Sequence, residues 1–363
     1  MKVAYVSPTY FGEGSYIGGG ERYAVELATW MSKFAETTLI SFAEKEESTY
    51  QGNLRIELHS VKHFIRSNVM NPLSFRYLPS LLKSHVVHVH HITTLVSDLS
   101  CLTASLFGKG SYVTDHGGGA DFVLNRKVPI LAGYDHAFAQ SRFAVNALPP
   151  ILQKKAVLIK GGIDTDRFHL SQVATKQKKI LFVGRLLPHK GVNYLIEAFR
   201  QLANPEFKLV IVGKVHNDRY FRDLQKLAEG LAVEFLHGID DQQLLFEYQT
   251  AYATVLPSVH KTCYGDYTAV PELMGFTLLE SQACGTPVIC TDAGAMSEFV
   301  EEGKTGYIVA QNSSEALREA LHKLVTLSPN AYATWQAQCL VWVKQFSWDT
   351  VAQKHLEVYQ ERS

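Results

Sequence analysis

The sequence lacks an excess of charge of either sign, and it has few cysteines. Its 363 residues contain 35 Lys and Arg against 35 Asp and Glu, so the formal net charge is zero. A protein that binds nucleic acid over a wide surface needs a basic surplus to neutralise phosphates, and that class is therefore excluded. Five cysteines without any CxxC spacing are too few for a disulfide scaffold.

Long hydrophobic runs are also missing. No apolar stretch approaches the roughly 20 residues that span a bilayer, and the opening segment MKVAYVSPTY is typical of a first β-strand rather than a signal peptide. With 46% hydrophobic and 19% charged residues the chain can bury large cores. At about 150 residues per domain its length predicts two domains. We expect a cytoplasmic protein.

Short apolar runs alternate with helix-length segments along the whole chain. Predicted strands include Lys2–Ser7 and Val86–His90, and the rhythm restarts at Lys179–Val183 after a polar linker at His169–Lys178. Near-continuous apolar strands separated by helices indicate parallel sheets covered on both faces. The sequence therefore predicts an α/β protein of two Rossmann-like doubly wound domains facing across a cleft, with ligands at the carboxyl ends of the strands.

Two glutamates with seven residues between them flank a predicted helix start in PELMGFTLLESQACGTPV. Glu272 precedes Gly275, and Glu280 lies in the helix predicted at about Thr277–Ala283. A glycine that opens a helix lets backbone N–H groups approach a phosphate, which the helix dipole also favours. A nearby carboxylate would repel that phosphate unless it points elsewhere, for example toward a diol such as ribose. The alternative is two solvated glutamates beside an ordinary helix.

Two cations follow a predicted strand in the segment FVGRLLPHKG. Arg185 and Lys190 could straddle a diphosphate and stabilise its charge as a leaving group; the alternative is a solvated loop with ordinary surface cations. Gly18-Gly19-Gly20 resembles a phosphate-binding turn, but it has neither the GxGxxG nor the P-loop spacing. A flexible loop is the alternative there.

Histidines gather near two predicted strand ends. In the run HVVHVHH, strand alternation places His88 and His90 on one face and His91 on the other. Because no Cys pair and no HExxH accompanies them, core histidines are favoured over zinc ligands. His116 ends a strand and is followed by three glycines, which is where a hydrogen-bonding catalytic group would be exposed.

With these residues in place, the chain resembles the retaining nucleotide-sugar glycosyltransferases of family 4, which have the GT-B fold. The segments that carry the likeness follow one another over the whole length: GGGERY, TDHGG, GGIDTDRF, VGRLLPHKG, PELMGFTLLESQACGTPVI and FSWDTVAQKHLEVY. The resemblance implies an acceptor-binding domain at residues 1–168 and a nucleotide-sugar-binding domain at 169–345. A final helix, at about 346–363, would pack back on the first domain.

The resemblance also implies roles for individual residues. Glu280 would hold the ribose hydroxyls, Glu272 would contact the hydroxyls of the donor sugar, and His116 would lie near the transferred sugar. The implied catalytic residues are His116, Arg185, Lys190 and Glu272. The implied donor-binding residues are Gly19, Gly20, Gly184, Arg185, Lys190, Gly275, Phe276, Thr277 and Glu280.

The implied reaction asks for little covalent chemistry from the protein. The sugar–phosphate bond breaks with oxocarbenium character, two cations neutralise the diphosphate without a metal or other cofactor, and retention is ascribed to front-face attack. On family frequency the expected donor is a UDP-hexose such as UDP-glucose, and the acceptor a glycan or lipid-linked saccharide in polysaccharide or glycoconjugate synthesis. The alternatives are a same-fold epimerase or phosphorylase, a non-catalytic nucleotide-sugar sensor, and a NAD-dependent Rossmann protein, which the missing GxGxxG disfavours.

Three places depart from the family pattern. Ser258–Val270 is longer than the family's usual segment, which leaves the identity of the sugar open. Leu273-Met274 replaces the common small or aromatic residues before Gly275, and Ala295 stands where a second glycine is frequent. The basic and aromatic segment Lys62–Lys83 could touch an anionic membrane peripherally; its alternative is a solvated amphipathic surface.

Overall fold

The computed structural model describes residues 1–12, 18–117, 124 and 127–361, and it divides into two compact units. Unit 1 comprises Met1–Gly162 together with the chain from Trp348 onward, and unit 2 comprises Ile163–Ser347. The predicted boundaries, at 168/169 and at about 345/346, lie six and two residues from these divisions. The class predicted from the sequence, two doubly wound α/β domains, is confirmed.

The segment 163–168 belongs to unit 2 because its contacts are made there. The amide of Ile163 donates to the carbonyl of Phe346 at 3.0 Å. The ring of Phe168 packs edge-on against Tyr248, with 5.9 Å between the centroids. A polar composition marked 169–178 as the linker, but these apolar side chains already attach the preceding residues to the second core.

Unit 1 is built on an eight-stranded sheet. Its strands are β1 (Lys2–Phe11), β2 (Glu36–Ala43), β3 (Glu47–Gln51), β4 (Leu54–Ser60), β5 (Val86–His90), β6 (Gly110–Thr114), β7 (His136–Ala139) and β8 (Ala156–Leu158). They lie in the order β3-β4-β2-β1-β5-β6-β7-β8, and every neighbouring pair is parallel except β3 with β4. The helices are α1 (Gly19–Met31), α2 (Leu78–Leu82), α3 (Leu95–Leu106), α4 (Arg142–Ala147) and α5 (Pro150–Gln153).

The last helix of the chain completes unit 1. It spans Trp348–Gln360, within the range of about 346–363 expected from the sequence, and it is α12 in the chain order used below. Trp348 packs on Tyr23 of α1 with 4.9 Å between the ring centroids. Near the other end of the helix, the hydroxyls of Tyr359 and Tyr5 lie 3.2 Å apart. Burial of these aromatic rings attaches the helix to the core of the first sheet.

Unit 2 is built on a six-stranded parallel sheet. Its strands are β9 (Lys179–Val183), β10 (Lys208–Val212), β11 (Val233–Leu236), β12 (Ala253–Leu256), β13 (Val288–Thr291) and β14 (Gly306–Val309), in the order β11-β10-β9-β12-β13-β14. Its helices are α6 (Val192–Leu202), α7 (Asp218–Ala228), α8 (Asp241–Thr250), α9 (Phe276–Ala283), α10 (Ser314–Val325) and α11 (Pro329–Val343). Among the described residues, no helix is long and apolar enough to cross a membrane.

The topology of unit 2 brings two long loops together. Because β9 and β12 are neighbours and run parallel, the loops that leave their carboxyl ends begin side by side. The loop after β9 carries residues 184–191, and the loop after β12 carries residues 257–275. Every site residue that the sequence predicted in the second domain, apart from Phe276, Thr277 and Glu280 in α9, lies in one of these two loops.

Candidate active site

The loop after β9 is held close to its neighbours by glycine contacts. The amide of Gly184 donates to the carbonyl of Val212 at 3.0 Å, and a Cβ at Gly213 would lie only 1.8 Å from the Gly184 carbonyl oxygen. Arg185 follows directly and is exposed. Partial desolvation of its guanidinium lowers the Arg185 pKa, and the Glu272 carboxylate opposes that effect, so the two groups act on each other.

The second cation of this loop is buried against the loop after β12. Gly191 has a φ of +65°, and a Cβ there would lie 2.0 Å from the carbonyl oxygen of Pro257. Only glycine allows this approach. As a result Lys190 is buried, and its Nζ forms an ion pair with Oε1 of Glu272. The Oγ of Ser258 donates to the same carboxylate oxygen at 2.9 Å.

The backbone of Glu272 is clamped by a turn that follows β13. Gly294 has a φ of +61°, and a Cβ there would lie 2.4 Å from the Glu272 carbonyl oxygen. The amide of Ala295 donates to that oxygen at 3.0 Å. His260 supports the turn, because its Nδ1 donates to the carbonyl of Thr268 at 2.9 Å and its Nε2 accepts from the amide of Gly294 at 3.4 Å. Glu272 is therefore held in place at its backbone by this turn and at its carboxylate by Lys190 and Ser258.

The positive charge in this cluster comes from the two predicted cations and not from the neighbouring histidine. Burial, together with the charges of Lys190 and Arg185, lowers the pKa of His189 to about 4, against the opposing effect of Glu272. His189 is accordingly neutral at neutral pH. Arg185 and Lys190 face one carboxylate, so the cluster keeps one net positive charge, which suits an anionic ligand.

Helix α9 begins where the resemblance places the diphosphate. Gly275 is its N-cap, and because glycine has no side chain the first backbone N–H groups are not capped by that residue. The Oγ1 of Thr277 donates to the carbonyl of Val183 at 3.3 Å, which ties the start of α9 to the end of β9. The structure thus places Gly275, Phe276 and Thr277 beside the strand from which Gly184 and Arg185 leave.

Glu280 differs from Glu272 in its surroundings. It is buried in α9, and its Oε2 accepts from the hydroxyl of Tyr248 on α8 at 2.7 Å. This partner lies outside the cluster of Arg185, Lys190 and Glu272. The two glutamates are therefore not solvated surface residues, and each has its own hydrogen-bond donors.

In unit 1 the predicted residues meet at the carboxyl edge of the first sheet. A Cβ at Gly20 would lie 2.6 Å from Cβ of His116, so the start of α1 presses on this histidine. Gly18 caps the helix, and its amide donates to Oε2 of Glu21 at 2.8 Å. Gly19 is the first residue of α1, so the glycine run is a helix N-terminus and not a free loop. The glycines at 118–119, two of the three that follow His116, lie outside the described residues.

The ring of His116 is surrounded by other side chains. It stacks on His90 with 5.1 Å between centroids and an angle of 8° between the planes. Burial, followed by the effect of His90 and His91, lowers the pKa of His116 well below 6.5. His88 and His90 are fully buried and stacked on each other at 4.8 Å, which confirms that they share one face of β5 as core residues.

Several functional candidates were not found from the sequence. Ser258, His260 and Gly294 support Glu272, Tyr248 supports Glu280, and Gln140 is hydrogen-bonded to His116. Of these residues, only Ser258 is marked in the sequence, by its position at a strand end. The others could not be found because their roles depend on contacts between segments far apart in the chain. Within the described residues, no group of three or more His, Cys, Asp or Glu side chains is arranged to hold a metal ion.

Comparisons with known proteins agree with this architecture. The crystal structure of Anabaena HepE in complex with UDP-glucose aligns over 99% of this chain and 100% of its own with a TM-score of 0.73, at 16% identity. An uncharacterized glycosyltransferase of Methanocaldococcus jannaschii is 24% identical over 100% of this chain and 99% of its own length. A D-inositol 3-phosphate glycosyltransferase of Corynebacterium aurimucosum is 28% identical over 56% of this chain. That match and those to other curated relatives span about half of the relatives' own length.

Two parallel-sheet units with this topology define the GT-B class of glycosyltransferases. The family Glycosyl transferases group 1 matches residues 164–338, and Glycosyltransferase Family 4 matches residues 17–167. The two matches adjoin at the observed boundary region and together span most of the chain. The protein belongs to the family 4 type of glycosyltransferases, as the sequence motifs predicted.

Proposed function

We propose that this protein is a retaining, metal-independent hexosyltransferase that moves a hexose from UDP to a saccharide or lipid-linked saccharide. The observation that carries the proposal is the ion pair between the buried Lys190 and Glu272, with Ser258 on the same carboxylate oxygen. A cation and a fixed carboxylate at the carboxyl edge of a parallel sheet suit a sugar diphosphate, which offers an anion and hydroxyl groups.

Each group would have a distinct role. Arg185 and Lys190 would neutralise the departing diphosphate together with the N-terminus of α9, which makes a metal unnecessary for that charge. Glu272 would accept hydrogen bonds from the hydroxyls of the donor sugar, and Glu280 from those of the ribose. His116, Gly19 and Gly20 would contact the donor from unit 1. HepE with UDP-glucose supports the choice of UDP-glucose as the first donor to test.

A donor screen tests this function. UDP-glucose, UDP-galactose, GDP-mannose and ADP-glucose are incubated with the protein and a mixture of saccharide acceptors, and nucleotide release is measured with and without EDTA. We expect release with a UDP-hexose, stimulation by an acceptor, no loss with EDTA, and a product with the anomeric configuration of the donor by NMR. An epimerase would convert the donor without acceptor stimulation, and a sensor would bind it without turnover.

Matched variants connect the activity to the cluster. Lys190→Ala should lower kcat/KM by about 100-fold, which is the usual effect of removing one preorganised electrostatic contact. Lys208 and Glu234 form a comparable ion pair at 3.1 Å on the same sheet, but both side chains are nearly half exposed. Lys208→Ala should therefore leave turnover unchanged. Equal activity of the Lys190 and Lys208 variants would show that the assigned cluster is not the active site.

A further inference from the structure

Both ring nitrogens of His116 are hydrogen-bonded to side chains of unit 1. Its Nε2 lies 2.8 Å from Nδ1 of His90, and its Nδ1 lies 3.0 Å from the side-chain amide nitrogen of Gln140. His90 ends β5, Gln140 follows β7, and His116 follows the strand between them, so three adjacent strand ends deliver the three side chains. A neutral imidazole has one N–H and one lone pair, and these two contacts use both.

The two hydrogen bonds together determine which ring nitrogen of His116 carries the proton. When the Gln140 amide N–H donates to Nδ1, His116 carries its proton on Nε2 and donates to Nδ1 of His90. When the amide is turned over, its oxygen accepts from Nδ1–H of His116, and Nε2 then accepts from Nδ1–H of His90. Each arrangement allows a single neutral tautomer of His116, and neither leaves a ring nitrogen for a ligand.

The surroundings of His90 prevent it from turning away. Its ring lies between those of His88 and His116, with centroids at 4.8 and 5.1 Å and nearly parallel planes. His88 is itself held at both nitrogens, by Thr114 Oγ1 at 2.7 Å and by the hydroxyl of Tyr359 at 2.5 Å. His90 is fully buried, and burial lowers its pKa, so the stack is neutral at physiological pH.

We propose that His90 and Gln140 are positioning residues that lock His116 in one neutral tautomer. With both ring nitrogens occupied, His116 does not exchange protons with a ligand through its ring. Its role differs from the hydrogen-bonding catalytic group expected from the sequence. For its kinetic consequence the lock rests on the proposed transferase function, whereas the tautomer of His116 is a property of unit 1 alone.

Long-range 1H–15N spectra of the full chain labelled at histidine test the lock directly. The His116 signals are assigned by their loss in His116→Gln. We expect one protonated and one unprotonated ring nitrogen, unchanged between pH 8 and pH 6. His90→Phe keeps a stacked ring without Nδ1 and should show a mixture of tautomers, and His90→Asn, which returns a polar group near the Nδ1 position, should restore a single one. Gln140→Leu removes the hydrogen-bond partner of the other ring nitrogen, Nδ1, and should also give a mixture of tautomers.

Two results would overturn the lock: both tautomers of His116 in the wild-type protein, or a wild-type spectrum in His90→Phe and Gln140→Leu. In the transferase assay, His90→Phe should lower kcat by about 10-fold or more, with recovery in His90→Asn, because a misplaced group near the substrate slows the reaction. Unchanged kcat in His90→Phe would refute the positioning role. If the wild-type protein has no transferase activity and His90→Phe still shows a mixture of tautomers, the lock is upheld and the proposed function is refuted.

Discussion

Lowering the pH from 7 to 5 is expected to destabilise unit 1, because its buried imidazoles are neutral in the folded state. His355 of α12 is fully buried and stacks on His88 at 5.8 Å. Burial lowers the pKa of His355 from 6.5 to about 4. The pKa values of His88, His90 and His116 are lowered by the same cause, so all four side chains act in the same direction.

The size of the effect follows from the shift of His355. Above pH 6.5 its ring is neutral in the folded and in the unfolded chain, and it contributes no pH dependence. Between pH 6.5 and 4 the unfolded chain binds a proton that the folded chain does not, so the free energy of unfolding falls as the pH falls. A shift from 6.5 to about 4 corresponds to about 3 kcal/mol in full and about 2 kcal/mol at pH 5.

Urea unfolding of the wild type and of His355→Phe at pH 7 and pH 5 measures this contribution. Amide exchange in residues 348–360 assigns the transition of unit 1. Between the two pH values the wild type should lose about 2 kcal/mol more than the variant, whatever the variant's stability at pH 7. His63→Phe, at an exposed position of the same unit, should keep the wild-type pH dependence. An equal loss in the wild type and in His355→Phe would refute the reasoning from burial.

Urea unfolding of substituted proteins tests two further contacts in unit 2. Gly191→Ala and Gly230→Ala both place alanine at positive φ, which costs about 1 kcal/mol, but only the first puts a Cβ 2.0 Å from a carbonyl oxygen. Gly191→Ala should therefore lose clearly more stability than Gly230→Ala, and equal losses would contradict the close approach of the two loops. Tyr248→Phe removes the 2.7 Å donor of the buried Glu280 and should cost about 1–3 kcal/mol; unchanged stability would show that this bond contributes nothing.

The sequence predicted the buried elements better than the edges of the sheets. The strands Val86–His90 and Lys179–Val183 have the predicted bounds, because apolar periodicity reports burial directly. The strand Glu47–Gln51 was not predicted. All five of its residues are exposed, and it pairs only with β4 at the edge of the sheet, so no hydrophobic pattern marks it. Its structure comes from the neighbouring strand.

The charged groups of the candidate site were predictable from the sequence, but the residues that hold them in place were not. The rule that ligands bind at carboxyl ends of parallel strands pointed to Arg185, Lys190 and Glu272 together. The support from His260 was not predictable, because the residue lies in the irregular segment after β12, where no periodicity indicates a fold. Its tautomer is set by the carbonyl of Thr268 and the amide of Gly294, two groups that only the folded chain brings to it.

The turn that clamps Glu272 explains one departure from the family pattern. A second glycine is frequent where this chain has Ala295, yet the residue has a φ of −91°, which any side chain tolerates. Its contribution to the site is its backbone amide, which alanine keeps. Gly294 has a φ of +61° and touches the backbone of Glu272, so glycine is required there on two grounds. The turn therefore depends on the first glycine, and at the second position the buried Ala295 keeps the backbone amide that holds the carbonyl of Glu272.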